Sequence, residues 1–192
     1  DEEGCHIDCL LSQNKLTLKK ENSMLLSNEY HSYFKIYIDD LSTNGKSILE
    51  NLIDTGNHLE ELVTATPKEK QLYIYAEGKW TLKQLLVHII DTERIFNYRA
   101  LRFARNDSTE LQGFDHDFYT ENVNANARDL EDLLSEFKLV RASSVSLFKS
   151  FPDEALFRKG TASGNIISVR AIGHLISGHQ LHHIKIFKER YL

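Results

Sequence analysis

Two histidines near the C-terminus, His179 and His183, are spaced so that one metal ion could bind both. They belong to the run GHQLHH at residues 178–183, inside a segment whose apolar periodicity predicts one helix. Residues four apart project from the same side of a helix, one turn apart. Because imidazole nitrogens are common ligands of zinc and other transition metals, the pair predicts part of a metal site.

His88, in a second predicted helix, is the candidate for a third ligand. Three histidines can hold a metal ion and leave a coordination position open for water or a substrate. His88 lies in the run LLVHIIDTE at residues 85–93, about 100° around the helix from its apolar centre. Its polar face is either a solvated surface or the wall of a cavity between helices, and the spacing alone leaves both open.

His179 lies at the centre of the apolar stripe of the last predicted helix. His183 is displaced from it by about 40° to one side and His182 by about 60° to the other, so either could face inward. The four-residue spacing favours His183 as the ligand and leaves His182 beside the site. His174 lies about 140° from His179, and we expect it to be exposed.

Four long helices separated by polar loops account for most of the chain. Apolar stripes at helical spacing predict them, and Thr81 and Ser168 are candidate N-caps. The segment at residues 33–38 fits a short strand or a helical turn. Because two of the loops are long, we expect an all-α four-helix bundle with long crossover loops, and we rank an irregular orthogonal packing second. The predicted helices cover residues 45–63, 81–104, 127–151 and 169–191, and the long loops cover residues 106–126 and 158–165.

The composition is that of one globular domain without a strong charge. The 192 residues carry 23 basic and 28 acidic side chains, and the net charge of −5 argues against a nucleic-acid or anionic-lipid partner. No apolar run approaches the roughly 18 residues of a membrane helix. Both cysteines, Cys5 and Cys9, precede Met24, the only methionine. We expect residues 1–23 to be a disordered leader, residues 24–192 to form a single domain, and the protein to be cytoplasmic.

Four blocks of sequence carry further information in their order and spacing. They are GKWT at residues 78–81, HIIDTER at 88–94, YRALRFAR at 98–105 and GHQLHH at 178–183. Together they resemble the DinB/YfiT-like superfamily, over roughly residues 30–192. The resemblance implies a DinB-type four-helix bundle and a divalent metal, zinc or nickel, held by His88, His179 and His183. It also implies a bacterial protein that forms a homodimer.

Some members of that superfamily are transferases that use low-molecular-weight thiols such as bacillithiol or mycothiol. The resemblance therefore implies a metal-dependent enzyme that conjugates a thiol co-substrate to a small electrophilic substrate. A metal ion could deprotonate a coordinated thiol or lower the pKa of a bound water. The same open site would suit metal-dependent hydrolysis of small molecules. A non-catalytic, stress-related metal-binding protein is a third hypothesis.

Four further side chains are candidates for roles beside the metal. Asp91, about 60° from His88 on the same helix, could orient that imidazole through its other ring nitrogen. Arg99 could hold a carboxylate or phosphate, or form a salt bridge within the bundle. His116, in the long loop, could cover the site and face the substrate, and His182 could lie next to the ligands.

Overall fold

A computed structural model of the chain describes residues 25–192, so the predicted leader at residues 1–23 lies outside the described residues. Four long helices form a bundle, which confirms the all-α expectation. None of the helices in the described range is long and apolar enough to cross a membrane. In chain order the helices are α1 (Lys35–Ser42), α2 (Ile48–Thr64), α3 (Leu82–Ala104), α4 (His116–Asn122), α5 (Leu130–Lys149), α6 (Asp153–Leu156) and α7 (Val169–Arg190), and the strands β1 (Lys159–Ala162) and β2 (Asn165–Ser168) precede α7.

Side-chain caps fix where three of the long helices begin. Ser47 and Thr81 each accept a hydrogen bond from the backbone of the third helical residue, whose own side chain, Glu50 or Gln84, accepts one in return from the cap. Such reciprocal capping boxes satisfy backbone donors that a helix end leaves free. Ser168 accepts a backbone hydrogen bond at the start of α7. The two predicted N-caps, Thr81 and Ser168, are therefore confirmed.

The long helices follow one another around the bundle in the order α2, α5, α3, α7. α2 therefore lies diagonally opposite α3, and α5 opposite α7, so two of the three connections cross the bundle. α1 packs on the outside of α7. Gly178 permits this approach, because a Cβ at that position would lie 1.7 Å from the carbonyl oxygen of Tyr37 on α1. Any larger residue would push α1 away from the bundle.

A buried ion pair joins all four long helices. Arg141 on α5 donates from Nε and Nη2 to the two carboxylate oxygens of Glu93 on α3, each over 2.8 Å. Its Nη1 donates to the carbonyl of Leu52 at 2.5 Å and to Thr55 Oγ1 at 2.9 Å, both on α2. Nη2 also donates to the side-chain oxygen of Gln180 on α7. The one guanidinium thus sets the rotation of each helix relative to the others.

This polar layer lies between two clusters of buried apolar side chains. A buried ion pair costs several kcal/mol of desolvation per ion unless its remaining hydrogen bonds are made. Here Ser144 Oγ adds a hydrogen bond of 2.5 Å to Glu93, and Gly56 leaves room for the Arg141 stem, whose Cγ would lie 3.2 Å from an added Cβ. One cluster includes Leu52, Phe103, Phe148 and Leu175, and the other includes Leu59, Ile90, Phe137 and Ile184.

The segment at residues 158–165, which the sequence predicted to be a loop, belongs largely to a β-hairpin. β1 and β2 pair in antiparallel orientation, and Ser163 and Gly164 make the turn with positive φ angles of 52° and 73°. A two-residue hairpin turn needs such angles. Gly160 lets the hairpin lie on Phe103, because a Cβ there would lie 2.1 Å from the ring. Strands of four residues with little alternation give too short a pattern to recognise.

Two other segments also differ from a plain loop or strand. Residues 33–38, for which a strand or a helical turn was open, are helical, with a 3₁₀ turn at Ser32–Phe34 leading into α1. The predicted loop at residues 106–126 contains α4. Asp115 caps α4, since its Oδ1 accepts backbone hydrogen bonds from Asp117 and Phe118.

His174 is buried, so the prediction that it is exposed was wrong. Only 2% of its surface is accessible. The first half of α7 is buried on every side, because α1 packs on it and the buried ion pair of Glu29 with Arg170 ties the segment before α1 to its first turn. A prediction of exposure from helical spacing assumes that the helix has one side facing solvent. This part of α7 has no such side. Burial lowers the pKa of His174 to about 4.

Removing the guanidinium of the polar layer should destabilise the fold strongly. Arg141→Met should lower the free energy of unfolding by about 3–5 kcal/mol, because Glu93 is left buried without its counter-charge. Urea unfolding followed by circular dichroism measures the change. As a control, Lys138→Met on the same helix removes the exposed partner of Glu60 and should cost about 1 kcal/mol or less. Equal losses in the two variants would contradict the central role of the polar layer.

The Glu29 carboxylate should make stability depend on pH. Burial alone raises its pKa, but hydrogen bonds from Arg170, from Leu26 N and from Ser168 outweigh burial and hold the pKa below its ordinary value of 4.5. A carboxyl with a lowered pKa in the folded state stabilises that state above the unfolded-state pKa, and the contribution is lost as pH falls through the folded-state pKa. The Tm difference between wild type and Glu29→Gln should therefore be largest near pH 7 and shrink below about pH 4.5. A difference that stays constant down to about pH 3 would rule this out.

Candidate metal centre

Three histidine side chains from α3 and α7 meet beside the polar layer. Nε2 of His179 lies 3.1 Å from Nε2 of His88 and 3.1 Å from Nε2 of His183. The potential ligand atoms of the three residues all lie within 4.8 Å of one another. The structure therefore brings together the three residues that the spacing and the resemblance predicted as ligands.

The spacing of the three nitrogens suits a metal ion. Zinc–imidazole bonds of about 2.0–2.1 Å in tetrahedral geometry separate two ligand nitrogens by roughly 3.3 Å. As a hydrogen-bonded cluster the arrangement is poor, because Nε2 of His179 has either one proton or one lone pair and cannot make a good hydrogen bond to both neighbours. A cation shared by three lone pairs resolves that conflict, so the donor set fits a divalent metal.

The cluster favours neutral imidazoles, the form that binds metal. Burial, with a smaller effect of the neighbouring histidines, lowers the pKa of His88 to about 4 and that of His183 to about 2. Burial and the same neighbours hold the pKa of His179 well below its ordinary value. Proton competition at the cluster is therefore weak near neutral pH.

Aromatic rings enclose the cluster on several sides. The ring centre of Trp80 lies 4.7 Å from that of His88, and the rings of Tyr37 and Phe96 each lie 5.9 Å from His179. The GKWT block thus supplies a wall of the site through its tryptophan. Beyond the rings, the cluster opens into a cavity of about 580 Å³, a volume typical of small-molecule sites. The polar face of His88 is the wall of a cavity rather than a solvated surface.

The predicted neighbours of the ligands fall into two groups. Arg99, His116 and His182 all line the cavity, and His182 packs edge-on against Tyr37 with ring centres 5.3 Å apart. Asp91 forms an ion pair with Arg94 instead, and within residues 25–192 no hydrogen bond joins it to His88. Burial raises the pKa of the Asp91 carboxyl.

Two residues that position the site escaped the sequence analysis. Gln180, next to His179, reaches into the polar layer and donates from Nε2 to the carbonyl of Thr55 at 2.6 Å. Tyr37, on α1, flanks both His179 and His182. The sequence carries no signal for Gln180, because its partners lie on other helices and leave no trace in helical spacing.

The sequence matches the family model of the DinB superfamily over residues 51–187, a range that covers most of α2, all of α3 and α5, and most of α7. The chain belongs to the DinB superfamily. No curated protein matches this DinB chain. The predicted resemblance to the DinB/YfiT-like superfamily is confirmed.

Two solved structures share the fold of this DinB protein. YfiT from Bacillus subtilis, described as a probable metal-dependent hydrolase with an unusual four-helix bundle topology, has a TM-score of 0.67 and 19% identity, with 74% of this chain and 82% of that chain covered. The DinB-like protein YjoA from Bacillus subtilis has a TM-score of 0.53 and 18% identity, with 75% and 89% covered. At such identities the likeness concerns the fold, so the chemistry of this DinB protein is argued from its own residues.

This DinB protein should bind about one equivalent of zinc or nickel through three imidazoles. His88→Ala, His179→Ala and His183→Ala should each lose the metal, whereas His182→Ala should keep it. Elemental analysis of protein purified without an affinity tag measures the content. Fluorescence of Trp80, the only tryptophan, gives a second readout because the indole lies against His88. A folded wild type that takes up no metal would contradict the assignment, as would loss of metal from His182→Ala.

Proposed function

We propose that this protein is a metal-dependent enzyme that joins a low-molecular-weight thiol to a small electrophilic substrate. The observation that carries the proposal is that the three-histidine cluster lies where two cavities meet. The larger, of about 580 Å³, and the smaller, of about 250 Å³, share Trp80, His116 and His183 in their linings. Transfer between two substrates requires room for both beside one reactive centre, and two adjoining cavities meet that requirement.

The lining of the larger cavity favours a thiol over water as the nucleophile. Its residues, all within the described part of the chain, include no aspartate or glutamate, and the carboxylate of the smaller cavity, Asp117, is exposed to solvent, so no buried carboxylate is at hand to take a proton from water. A thiol needs less help, because its pKa is about 8.5 and that of water is about 15.7. A divalent metal held by His88, His179 and His183 supplies a Lewis acid that lowers the pKa of a bound thiol or water. Residues 25–192 contain no cysteine, so the described part of the chain supplies no thiol, and in the proposed reaction the thiol is a co-substrate.

His116 is the side chain best placed to take the proton of the thiol. Its ring centre lies 5.8 Å from that of His88, and its side chain is 57% exposed, so it can pass a proton on to solvent. In the transfer, the thiol proton goes to a ring nitrogen of His116 and the sulfur forms a bond to the electrophilic carbon. With a haloarene, the halide departs with the bonding electrons. With an epoxide the C–O bond breaks, and with an unsaturated carbonyl the C=C π bond opens; in both cases the anion that forms takes the proton held by His116. Trp80 and Tyr37 restrict water around the imidazoles, which limits competing hydrolysis.

Metal-dependent hydrolysis is the second candidate function. The description of YfiT as a probable metal-dependent hydrolase favours it, because the two chains share a fold. In this case water would take the place of the thiol and His116 would act as the general base. The cavity beside the cluster counts against the third hypothesis, a purely metal-binding stress protein. A homodimer in the cytoplasm stays a prediction.

Activity screening separates these functions. Zinc- and nickel-loaded protein is incubated with a matrix of thiols (glutathione, bacillithiol, mycothiol) and electrophiles (epoxides, haloarenes, unsaturated carbonyls), and products are identified by mass spectrometry. We expect a thioether or thiol adduct that requires both metal and thiol. His116→Ala should lower kcat about 10²–10⁴-fold, as loss of a general base does. His58→Ala, a histidine on α2 that contacts Lys188 at the surface, should leave it unchanged.

Two outcomes would overturn the proposed transfer. Turnover of esters or amides with metal and without any thiol would establish hydrolysis in its place. A metal-loaded protein that is inert toward the full matrix and toward the hydrolase substrates would remove both enzymatic functions.

A further inference from the structure

Three arginine side chains are buried in the described part of the chain, and one of them differs from the other two. Arg141 pairs with Glu93, and Arg170 pairs with Glu29. Arg99 is 6% exposed and forms no ion pair with any carboxylate in residues 25–192. A buried guanidinium without a counter-charge is costly, so its presence in a cavity wall points to an anion that binds there.

The hydrogen bonds of Arg99 leave part of its guanidinium free. Nη2 donates to the carbonyl of Gln112 at 3.1 Å and to Ser163 Oγ at 2.9 Å. Nε and Nη1 donate to no acceptor in the described range. The two acceptors lie in the loop before α4 and in the turn of the β-hairpin. Both are uncharged, so they hold the side chain in place without neutralising its positive charge. Nη1 keeps both of its hydrogens available for an oxyanion. Both bidentate edges of a guanidinium include Nη2, so this contact is a charge-assisted hydrogen bond from Nη1 and not a two-nitrogen fork.

Arg99 and the metal-ligating His88 share one face of α3 and one cavity. They are eleven residues apart, which is three turns and about 20° on a helix, or roughly 16 Å along its axis. Arginine side chains on a helix lean toward its N-terminus, which brings the guanidinium back toward the histidines. Both residues line the larger cavity, so a single ligand could contact both ends.

Thr92 provides a second, independent observation on the same face. It lies one turn after His88, between that residue and Arg99, and lines the same cavity. Its Oγ1 is buried and has no hydrogen-bond partner in the described part of the chain. Buried hydroxyls in native structures are normally satisfied, so the unpartnered Thr92 Oγ1 has a hydrogen bond left to make, to an ordered water or to a ligand group. Phe96 completes the face with an apolar surface between Thr92 and Arg99.

We propose that Arg99 anchors an oxyanion of the substrate, a carboxylate or a phosphorus oxyanion, at the end of the cavity opposite the three histidines. The substrate class is then an elongated small molecule with an aromatic or aliphatic middle, an anionic group at one end and the reacting carbon at the other. This inference rests on the proposed function for the reacting end only. Burial lowers the pKa of Arg99, yet an arginine stays charged near neutral pH.

Binding of matched probes tests the anchor without any catalytic step. The probes are 4-phenylbutanoate, 3-phenylpropylphosphonate and the uncharged 4-phenylbutanamide, and their affinities are measured by ligand-observed NMR on the full chain. Each titration is run without metal and after zinc loading, because an anion could also bind the metal. On metal-free wild type we expect at least one of the two anions to bind at least tenfold more tightly than the amide. The tighter of the two anions identifies the oxyanion.

Variants on one helix decide whether Arg99 is responsible. Arg99→Gln should abolish the preference for the anion and leave amide affinity unchanged, whereas Arg99→Lys should retain part of the preference. Arg102→Gln is the matched control, because Arg102 is paired with Asp107 away from the cavity, and it should behave as wild type. Should Arg99→Gln fail to fold, Arg99→Lys takes its place, and a preference for the anion as strong as that of wild type would contradict the anchor.

Equal binding of all three probes to metal-free wild type would overturn the anchor, as would a preference for the anion that survives in Arg99→Gln. These results are distinguishable from a failure of the proposed transfer. A protein that binds no metal can still show the preference for an anion. An active thiol transferase without that preference would disprove only the role of Arg99.

Discussion

The interaction on which the rest of the structure depends is the ion pair of Arg141 with Glu93, shared among four helices. Its partners on α3 and α7 lie close in sequence to the three clustered histidines, since Glu93 follows His88 by five residues and Gln180 follows His179 directly. A rotation of α7 that separated the imidazoles would also withdraw Gln180 from the guanidinium. The hydrogen bonds of the polar layer therefore hold the three Nε2 atoms close together, although no histidine takes part in them.

Two faces of α3 have different roles, one in the polar layer and one in the cavity wall. Glu93 lies about 140° around the helix from His88, so it points into the polar layer while His88, Thr92 and Arg99 face the cavity. In the polar layer the positive charge of Arg141 is paired with the negative charge of Glu93, and this pairing stabilises the fold. Among the described residues that line the cavity, no buried carboxylate lies beside the imidazoles or the guanidinium, and this is the charge pattern on which the proposed metal site and the proposed anion site both rest.

Much of the fold and the centre of the site could be predicted from the sequence, because both depend on patterns within single helices. Apolar stripes and the caps Thr81 and Ser168 located the long helices, and the i, i+4 spacing located His179 and His183. The choice of His88 as the third ligand needed the resemblance, since helical spacing alone did not decide what its polar face contacts. The β-hairpin was missed because its strands are short, whereas the errors on α7 concern contacts between elements. His174 is buried by α1 and by Glu29, and the partners of Gln180 lie on other helices, so neither could be derived from periodicity.

The order of the helices around the bundle bears on how the site assembles. His88 and His179 are separated by 91 residues, and closing a flexible loop of that length costs on the order of 4 kcal/mol of chain entropy. α3 and α5 are neighbours in space and in sequence, so their pairing requires a much shorter closure. A folding intermediate in which α3 has docked on α5 but α7 has not would contain helices and an apolar core, yet only one of the three imidazoles would be in place. Capture of a metal ion would then report the final docking of α7 and, by binding only the completed fold, would slow its reversal.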